Sequence, residues 1–377
     1  MPNEAHIQSE RRASEAEALL RAGTTDAARD LYLQAARHEL DALQTIPPGQ
    51  PRTQGILSVS AVSLFFKASA LEEAEAHAYS FLNQQLPEFA RDQLRELLQV
   101  VWEEKALKGA GLRYTGETIS VSMRGAEIGA GRAPMALVVD RIGGIHTLLY
   151  RITEWLGGFP FRTRGAPPDV VRELCQPWVG EPQAGSYRFA VRFVQPIQLE
   201  LIPALTINPS DLNRWFFRFV RAVSPTTLTP SESVQDLIPD TRYRHAILKL
   251  TRNIAPDGQR VKEIEFVSDT EQVRERALFH SGARIRIEDS LTADEPAGTS
   301  DHIAGVLRAV HLDRRWLEVL QESGNPQRCR IAGEVLDDVV GPMLNHRVIV
   351  RGKWKRHGAQ FDLMDIELDS SPEKKPG

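Results

Sequence analysis

The chain has 377 residues, 42% hydrophobic and 25% charged, with a formal net charge of −4. That length exceeds one ordinary core and sets an expectation of about two or three globular domains. The acidic balance argues against a dedicated duplex-binding protein, which carries a basic excess, and no run approaches the roughly 18 apolar residues of a spanning helix.

The opening from Met1 to Arg12 is polar and lacks the apolar run of a signal peptide, so a cytoplasmic location without a membrane partner is expected. Cys175 and Cys329 are far apart and stand outside any CxxC context. They suggest neither a disulfide framework nor a zinc module.

Residues 8–22 and 26–46 predict a first pair of helices, stopped by Pro47 and Pro48. Ala16, Ala28 and Ala35 are small enough for the two helices to approach closely, with Leu19 beside them and Tyr32 filling the remaining gap. Gly23 ends the first helix, where a left-handed backbone costs glycine little. Thr24 or Thr25 caps the second helix and Asp26 suits its first turn. A second pair repeats the register, with Ser69, Ala74, Ala78 and Phe81 where the first has Gly23, Ala28, Tyr32 and Ala35. Its first helix, about 52–68, is so apolar that Ile56 to Phe66 are expected to be buried. A fifth helix, about 87–107, starts at Pro87 and buries Leu94, Leu97, Leu98, Val101 and Trp102.

This spacing resembles the tetratricopeptide-repeat family, over about 100 residues and two units. The resemblance implies binding of a protein or peptide in a concave groove. The residues alone also fit a plain helical bundle with small-residue contacts. Stacks need about three repeats for independent stability. The 1–108 domain is therefore expected to lean on its neighbour or on a protein partner or second copy.

A central α+β domain is expected over 112–289. Its predicted elements are a strand at 117–123, with Ile119, Val121 and Met123 on one face, and a helix from Pro134 to Leu156. Gly143-Gly144 inside that helix implies a kink or close packing. A short helix at 168–175 and strands at Ser186–Val194 and Gln198–Ile202 follow. Next come a helix over Asp211–Val223, capped by Asn208 or Ser210, and a helix over Thr241–Asn253. Strands are predicted at 261–267, 273–279 and 283–288.

Gly125, Gly129 and Gly131 do not spell a dinucleotide fingerprint, and no phosphate-cradling loop or nucleophile elbow is present. His146 has Asp140 nearby but neither metal spacing nor a nucleophile, and Cys175 has no partner in sequence. No catalytic residue, metal or cofactor is assigned. Arg214, Arg218 and Arg221 share one helix face among Trp215, Phe216, Phe217 and Phe219. They could hold phosphates and stacked bases. The aromatics already explain themselves as packing, which favours a solvated basic face over an aromatic core stripe.

A polar linker at 289–300 leads to a barrel at 301–369 and a flexible tail at 370–377. Strands are predicted at 303–311, 314–320 and 327–332, a helix at 334–341, and strands at 346–355 and 360–368. In element order and size this resembles an OB-type barrel, with an SH3-like barrel as the alternative. The last hairpin predicts Val348 opposite Leu368, Val350 opposite Ile366 and Gly352 opposite Met364. On its other face Arg347 meets Asp369 and Arg351 meets Asp365. Lys353, Lys355, Arg356 and His357 are then free cations at its tip, and Trp316 and Trp354 are candidate stacking platforms. Asp365, Glu367 and Asp369 read as a solvated acidic face that repels phosphate.

The expected fold is thus a multidomain α+β protein: a repeat-like helical domain, a central domain and a small OB-like barrel. The expected function is that of a non-enzymatic cytoplasmic interaction or regulatory adaptor protein acting through protein contacts. Single-stranded nucleic-acid binding, by the barrel or by Arg214, Arg218 and Arg221, is one alternative. An enzyme with scattered central residues is another.

Overall fold

The computed structural model describes residues 4–47, 49–128, 132–174, 176–179, 187–196, 208–225, 232–269, 274–293, 301–333, 335–355 and 360–369. Gly129, Gly131, Cys175, the strand expected at Gln198–Ile202, Arg356, His357 and the tail lie outside them. The chain is a mixed α+β protein with N-terminal helices and a closed five-stranded barrel towards its C-terminus. It divides into two compact units, Met1–Arg113 and Tyr114–Gly377.

The first unit holds α1 (Glu4–Arg21), α2 (Thr25–Gln44), α3 (Pro51–Lys67), α4 (Leu71–Leu82) and α5 (Glu88–Gly109). Ala16, Ala28, Tyr32 and Ala35 are buried where α1 meets α2, with Leu19 partly buried against them. The two interhelical turns are alike. Gly23 has φ +80° and Ser69 φ +58°. The next amide closes each turn, Thr24 onto the Leu19 carbonyl at 2.9 Å and Ala70 onto the Phe65 carbonyl at 3.0 Å. Ser69 therefore adopts the glycine conformation at a cost of about 1–2 kcal/mol.

Two expectations fail in this unit. Ile56 is 49% exposed, because α3 buries the opposite side of its cylinder through Leu57, Ala61, Leu64 and Phe65. Trp102 is 44% exposed and leaves the buried stripe to Leu94, Leu98 and Val101. Its indole N–H donates to Glu75 at 2.8 Å and its ring tilts against Tyr79 on α4.

The second unit begins with β1 (Leu112–Arg124), α6 (Met135–Leu156), α7 (Asp169–Leu174), β2 (Gln176–Val179) and β3 (Tyr187–Pro196). It continues with α8 (Pro209–Val223), α9 (Val234–Leu237), α10 (Thr241–Ile254), β4 (Glu263–Asp269), β5 (Arg274–His280) and α11 (Gly282–Ala293). The strands form one sheet in the order β2-β3-β1-β4-β5. Ile119, Val121 and Met123 share a buried cluster with Phe189, Val191, Phe193, Ile264 and Phe266, and with apolar residues of α6, α8, α10 and α11. Alternation along each strand puts those residues on one face, which the helices cover.

Asn208 caps α8, its side chain accepting from the Ser210 amide, and Pro209 supplies the first-turn proline. Helix α6 runs unbroken through Gly143-Gly144, and a Cβ on Gly144 would overlap Ile254 of α10. Close packing accounts for that glycine.

The strand expected at 283–288 is helical. Arg284-Ile285-Arg286-Ile287 alternates as a strand does, but the buried residues are Ala283, Ile287 and Leu291, four apart, and Ile285 is exposed. Helical spacing wins, and α11 takes in the first residues of the expected linker.

The barrel comprises β6 (Asp301–His311), β7 (Trp316–Gln321), β8 (Pro326–Ile331), α12 (Asp337–Val340) with a tight turn at Gly341–Met343, β9 (Arg347–Trp354) and β10 (Phe361–Leu368). It closes in the order β10-β8-β7-β6-β9, with β10 parallel to β8 and antiparallel to β9. The hairpin register holds for Val348–Leu368, Val350–Ile366 and Arg351–Asp365. It then shifts, and Gly352 faces Leu363, not Met364. The bulge at Met364 lets Phe361 and Leu363 point inward together with Ile366, a set no unbroken strand could bury.

Candidate functional site

The outer face of the barrel brings Trp316 and Lys353, both named from the sequence, into one row with Arg330 and Asp362. On β7, Leu317 and Val319 fill the core and Trp316 and Glu318 point away from it. On β8, Cys329 and Ile331 are buried and Arg328 and Arg330 are exposed. Trp316 pairs with Arg330 and Glu318 with Arg328. Arg328 thus lies diagonal to Trp316, and its guanidinium stacks 3.7 Å from the ring centroid. His311 of β6, opposite Trp316, sits 5.9 Å away and tilted.

The patch continues across β10. Asp362 lies beside Arg330 on one neighbour and Lys353 on the other. Lys353 is exposed, and Lys355 is 3.8 Å from the Asp362 carboxylate. Trp354 is 40% exposed but lies at the end of β9, edge-on to Phe361 at 5.1 Å. The two tryptophans are kept apart by β8 and β10, about 14 Å of sheet. Trp316 joins Arg328 and Arg330 as one surface, and Trp354 stands separately. Arg328 and Arg330 were not singled out from the sequence. Their signal is the alternation Arg328-Cys329-Arg330-Ile331.

The acidic face expected on β10 is not solvated. Beyond the bulge, Asp365 and Glu367 turn onto α10 and α11. Lys249 reaches Asp365 at 3.0 Å and Arg252 at 2.7 Å. Arg252 also donates to the Ile366 carbonyl at 2.9 Å. Glu367 is met by Arg284 at 3.0 Å and Arg351 at 2.5 Å, so Arg351 does not pair with the Asp365 opposite it. Arg347 does meet Asp369, at 3.3 Å. Burial alone would raise the Asp365 pKa, but Lys249 and Arg252 outweigh it and hold the carboxyl well below its usual range. The carboxylates that would repel phosphate are committed to the interior.

A second ionic cluster fixes α12. Arg151, fully buried on α6, pairs with Glu154 at 2.9 Å and with Asp338. Arg162 reaches Glu154 and Asp338, each at 2.9 Å. Burial pushes the Asp338 pKa up, and its hydrogen bond from Arg162 and the charge of Arg151 bring it below the ordinary value.

The α8 arginines are occupied. Arg214 pairs with Asp211 at 3.1 Å, Arg218 with Glu232 at 2.7 Å and Arg221 with Glu275 at 2.8 Å. Trp215, Phe216, Phe217 and Phe219 are all buried. Of the two readings of this helix, the geometry matches the basic face over an aromatic core stripe.

His146 is an exposed residue of α6, edge-on to Tyr150. Burial pushes the Cys329 thiol up to about 12, which keeps it protonated. Among the described residues no group of three or more His, Cys, Asp or Glu could hold a metal ion. No helix among them is long and apolar enough to cross a membrane.

A cleft of about 510 Å³ adjoins the Trp316 end of the outer face, with Leu312, Ile331 and Val335 in its lining beside Arg164, Asp313 and Arg315. No family model, curated protein or solved structure matches the chain.

Proposed function

We propose that the protein is a non-enzymatic interaction protein whose barrel, of the OB type, binds single-stranded nucleic acid on the outer face of β7, β8 and β9. The carrying observation is the sorting of charge: Arg328, Arg330, Lys353 and Lys355 lie outside with Trp316, while Asp365 and Glu367 are drawn into ion pairs with α10 and α11. Glu318 and Asp362 are the carboxylates left among the cations. Three features support the OB type: third and fifth strands paired in parallel, first strand between second and fourth, and a helix between third and fourth.

Base stacking here uses the arginine. The Arg328 plane is backed by Trp316 on one side and exposed on the other, a surface on which an unpaired base stacks. The surrounding cations follow the phosphates. Fluorescence anisotropy with a labelled 12-nucleotide strand tests this. Binding at low salt is expected, falling with a log–log slope near −3 if about four phosphates are neutralised at ~0.7 each. A signal unchanged by protein at low salt removes the reading.

The helical unit, read as tetratricopeptide-like from its two matched turns, supports an adaptor role. Tyr79 and Trp102 offer exposed aromatic surface to a protein partner or a second copy. Sedimentation showing a monomer at all concentrations, together with no co-purifying protein, would remove that half.

A further inference from the structure

The β6–β7 turn ends on Arg315 with φ +55°, a left-handed conformation that glycine or asparagine adopts more readily. A strained arginine in such a turn directs attention to its side chain. The Arg315 guanidinium is fixed: Nε donates to the Ile331 carbonyl at 3.1 Å, and Nη2 to those of Ala332 at 3.4 Å and Gly333 at 3.0 Å. Those bonds leave Nη1 unengaged among the described residues. Arg315 lines the cleft of about 510 Å³, which also carries Arg164 and the partly buried apolar residues Leu312 and Val335. Arg164 pairs with Asp313, and both are largely exposed, at 63% and 76%.

We propose that this cleft takes a terminal nucleotide, its phosphate monoester held by Arg315 and Arg164 and its base lying on Leu312 and Val335. The inference rests on the nucleic-acid reading, since Trp316 and Arg330, next in sequence to Arg315 and Ile331, start the outer face. A monoester carries about −1.5 to −2 charge near neutrality and three acceptor oxygens, against about −1 for an internal phosphodiester. The two guanidiniums discriminate between them by charge, Arg164 with its fork and Arg315 through Nη1. Asp313 opposes the phosphate. In the free protein it neutralises Arg164, and binding exchanges that carboxylate for the phosphate.

The test compares full-length protein on 12-nucleotide strands bearing a 5′-phosphate, a 3′-phosphate or hydroxyls at both ends, at one salt concentration. One phosphorylated form is expected to bind about tenfold or more tighter than the hydroxyl form, the scale of one or two charge-assisted hydrogen bonds. Arg164→Glu should abolish that gain, so that phosphorylated and hydroxyl-ended strands bind alike. Asp313→Asn should enlarge it. Equal affinity for all three strands, or an Arg164→Glu loss shared equally among them, overturns the proposal while keeping the outer face. Binding of adenosine monophosphate that is lost in Arg164→Glu, with no strand bound at all, supports the cleft and overturns the outer-face reading.

Discussion

Replacing Arg252 with alanine is expected to destabilise the second unit by about 3–5 kcal/mol, the cost of removing one partner from a buried ionic cluster. Arg252 is 2% exposed and serves Asp365, Glu367 and the Ile366 carbonyl together. Its loss leaves Asp365 with Lys249 alone and a buried carbonyl without its arginine donor. Against a total stability of about 5–15 kcal/mol, that is a large share. Arg252→Met keeps the volume of the stem and should recover only its packing part. Urea denaturation followed by tryptophan fluorescence measures both.

The effect should depend on pH in a defined direction. Asp365 has a depressed folded-state pKa, so its contribution is present above the unfolded value of about 3.9 and is lost as pH falls through the folded value. Wild type therefore loses stability in acid, below about pH 4. The alanine variant, with less depression to lose, falls less over that window, and the two curves should converge as pH drops. A constant gap down to pH 2 would mean that the arginine acts through packing and not through Asp365.

The double substitution Arg328→Glu with Arg330→Glu is expected to weaken single-strand binding by about a hundredfold at low salt. It removes a stacking plane worth about 1–3 kcal/mol per base and two phosphate contacts, and adds two repulsive charges. The salt slope should fall from near −3 to about −1.4. Stability should change little, because both side chains are exposed and the stack on Trp316 is worth only ~0.5–1 kcal/mol at such a site. Arg214→Glu with Arg218→Glu is the matched control on α8. Those arginines already hold Asp211 and Glu232, so binding there should be unaltered. A loss on α8 equal to that on the barrel would reduce the effect to net charge.

Much of this fold was legible from local spacing. Ala16, Gly23, Ala28, Tyr32 and Ala35 marked the first helical pair, and Ile119, Val121 and Met123 the buried face of β1, because helix and strand periods act within a few residues. The hairpin register was legible to Asp365 and failed at Met364 for a visible reason. Phe361 and Leu363 are two apart, as are Ile366 and Leu368, but the two pairs are out of phase by one residue. That phase break is the bulge. In α11 two periods competed, and the alternation of Ile285 with Ile287 gave the wrong one.

The candidate site was less legible because its logic is long-range. Nothing near Asp365 announces that Arg252, 113 residues earlier, will bury it. Without that pairing the last strand looks acidic and hostile to phosphate. On α8 the aromatic spacing was enough to favour a core stripe under a basic face, but the partners Glu232 and Glu275, which reach Arg218 and Arg221 from other elements, were not legible. The strength of a charged patch lies in which charges remain after folding has paired the rest, and that depends on contacts no local spacing reveals.

The most direct measurement is photocrosslinking of a single strand carrying 4-thiouridine, with the joined peptides mapped by mass spectrometry. Crosslinks in 311–330 and 347–355, suppressed by Arg328→Glu with Arg330→Glu, are the predicted result. Crosslinks confined to Met1–Arg113 or to α8, or none at low salt, would contradict nucleic-acid binding on the outer face of the barrel.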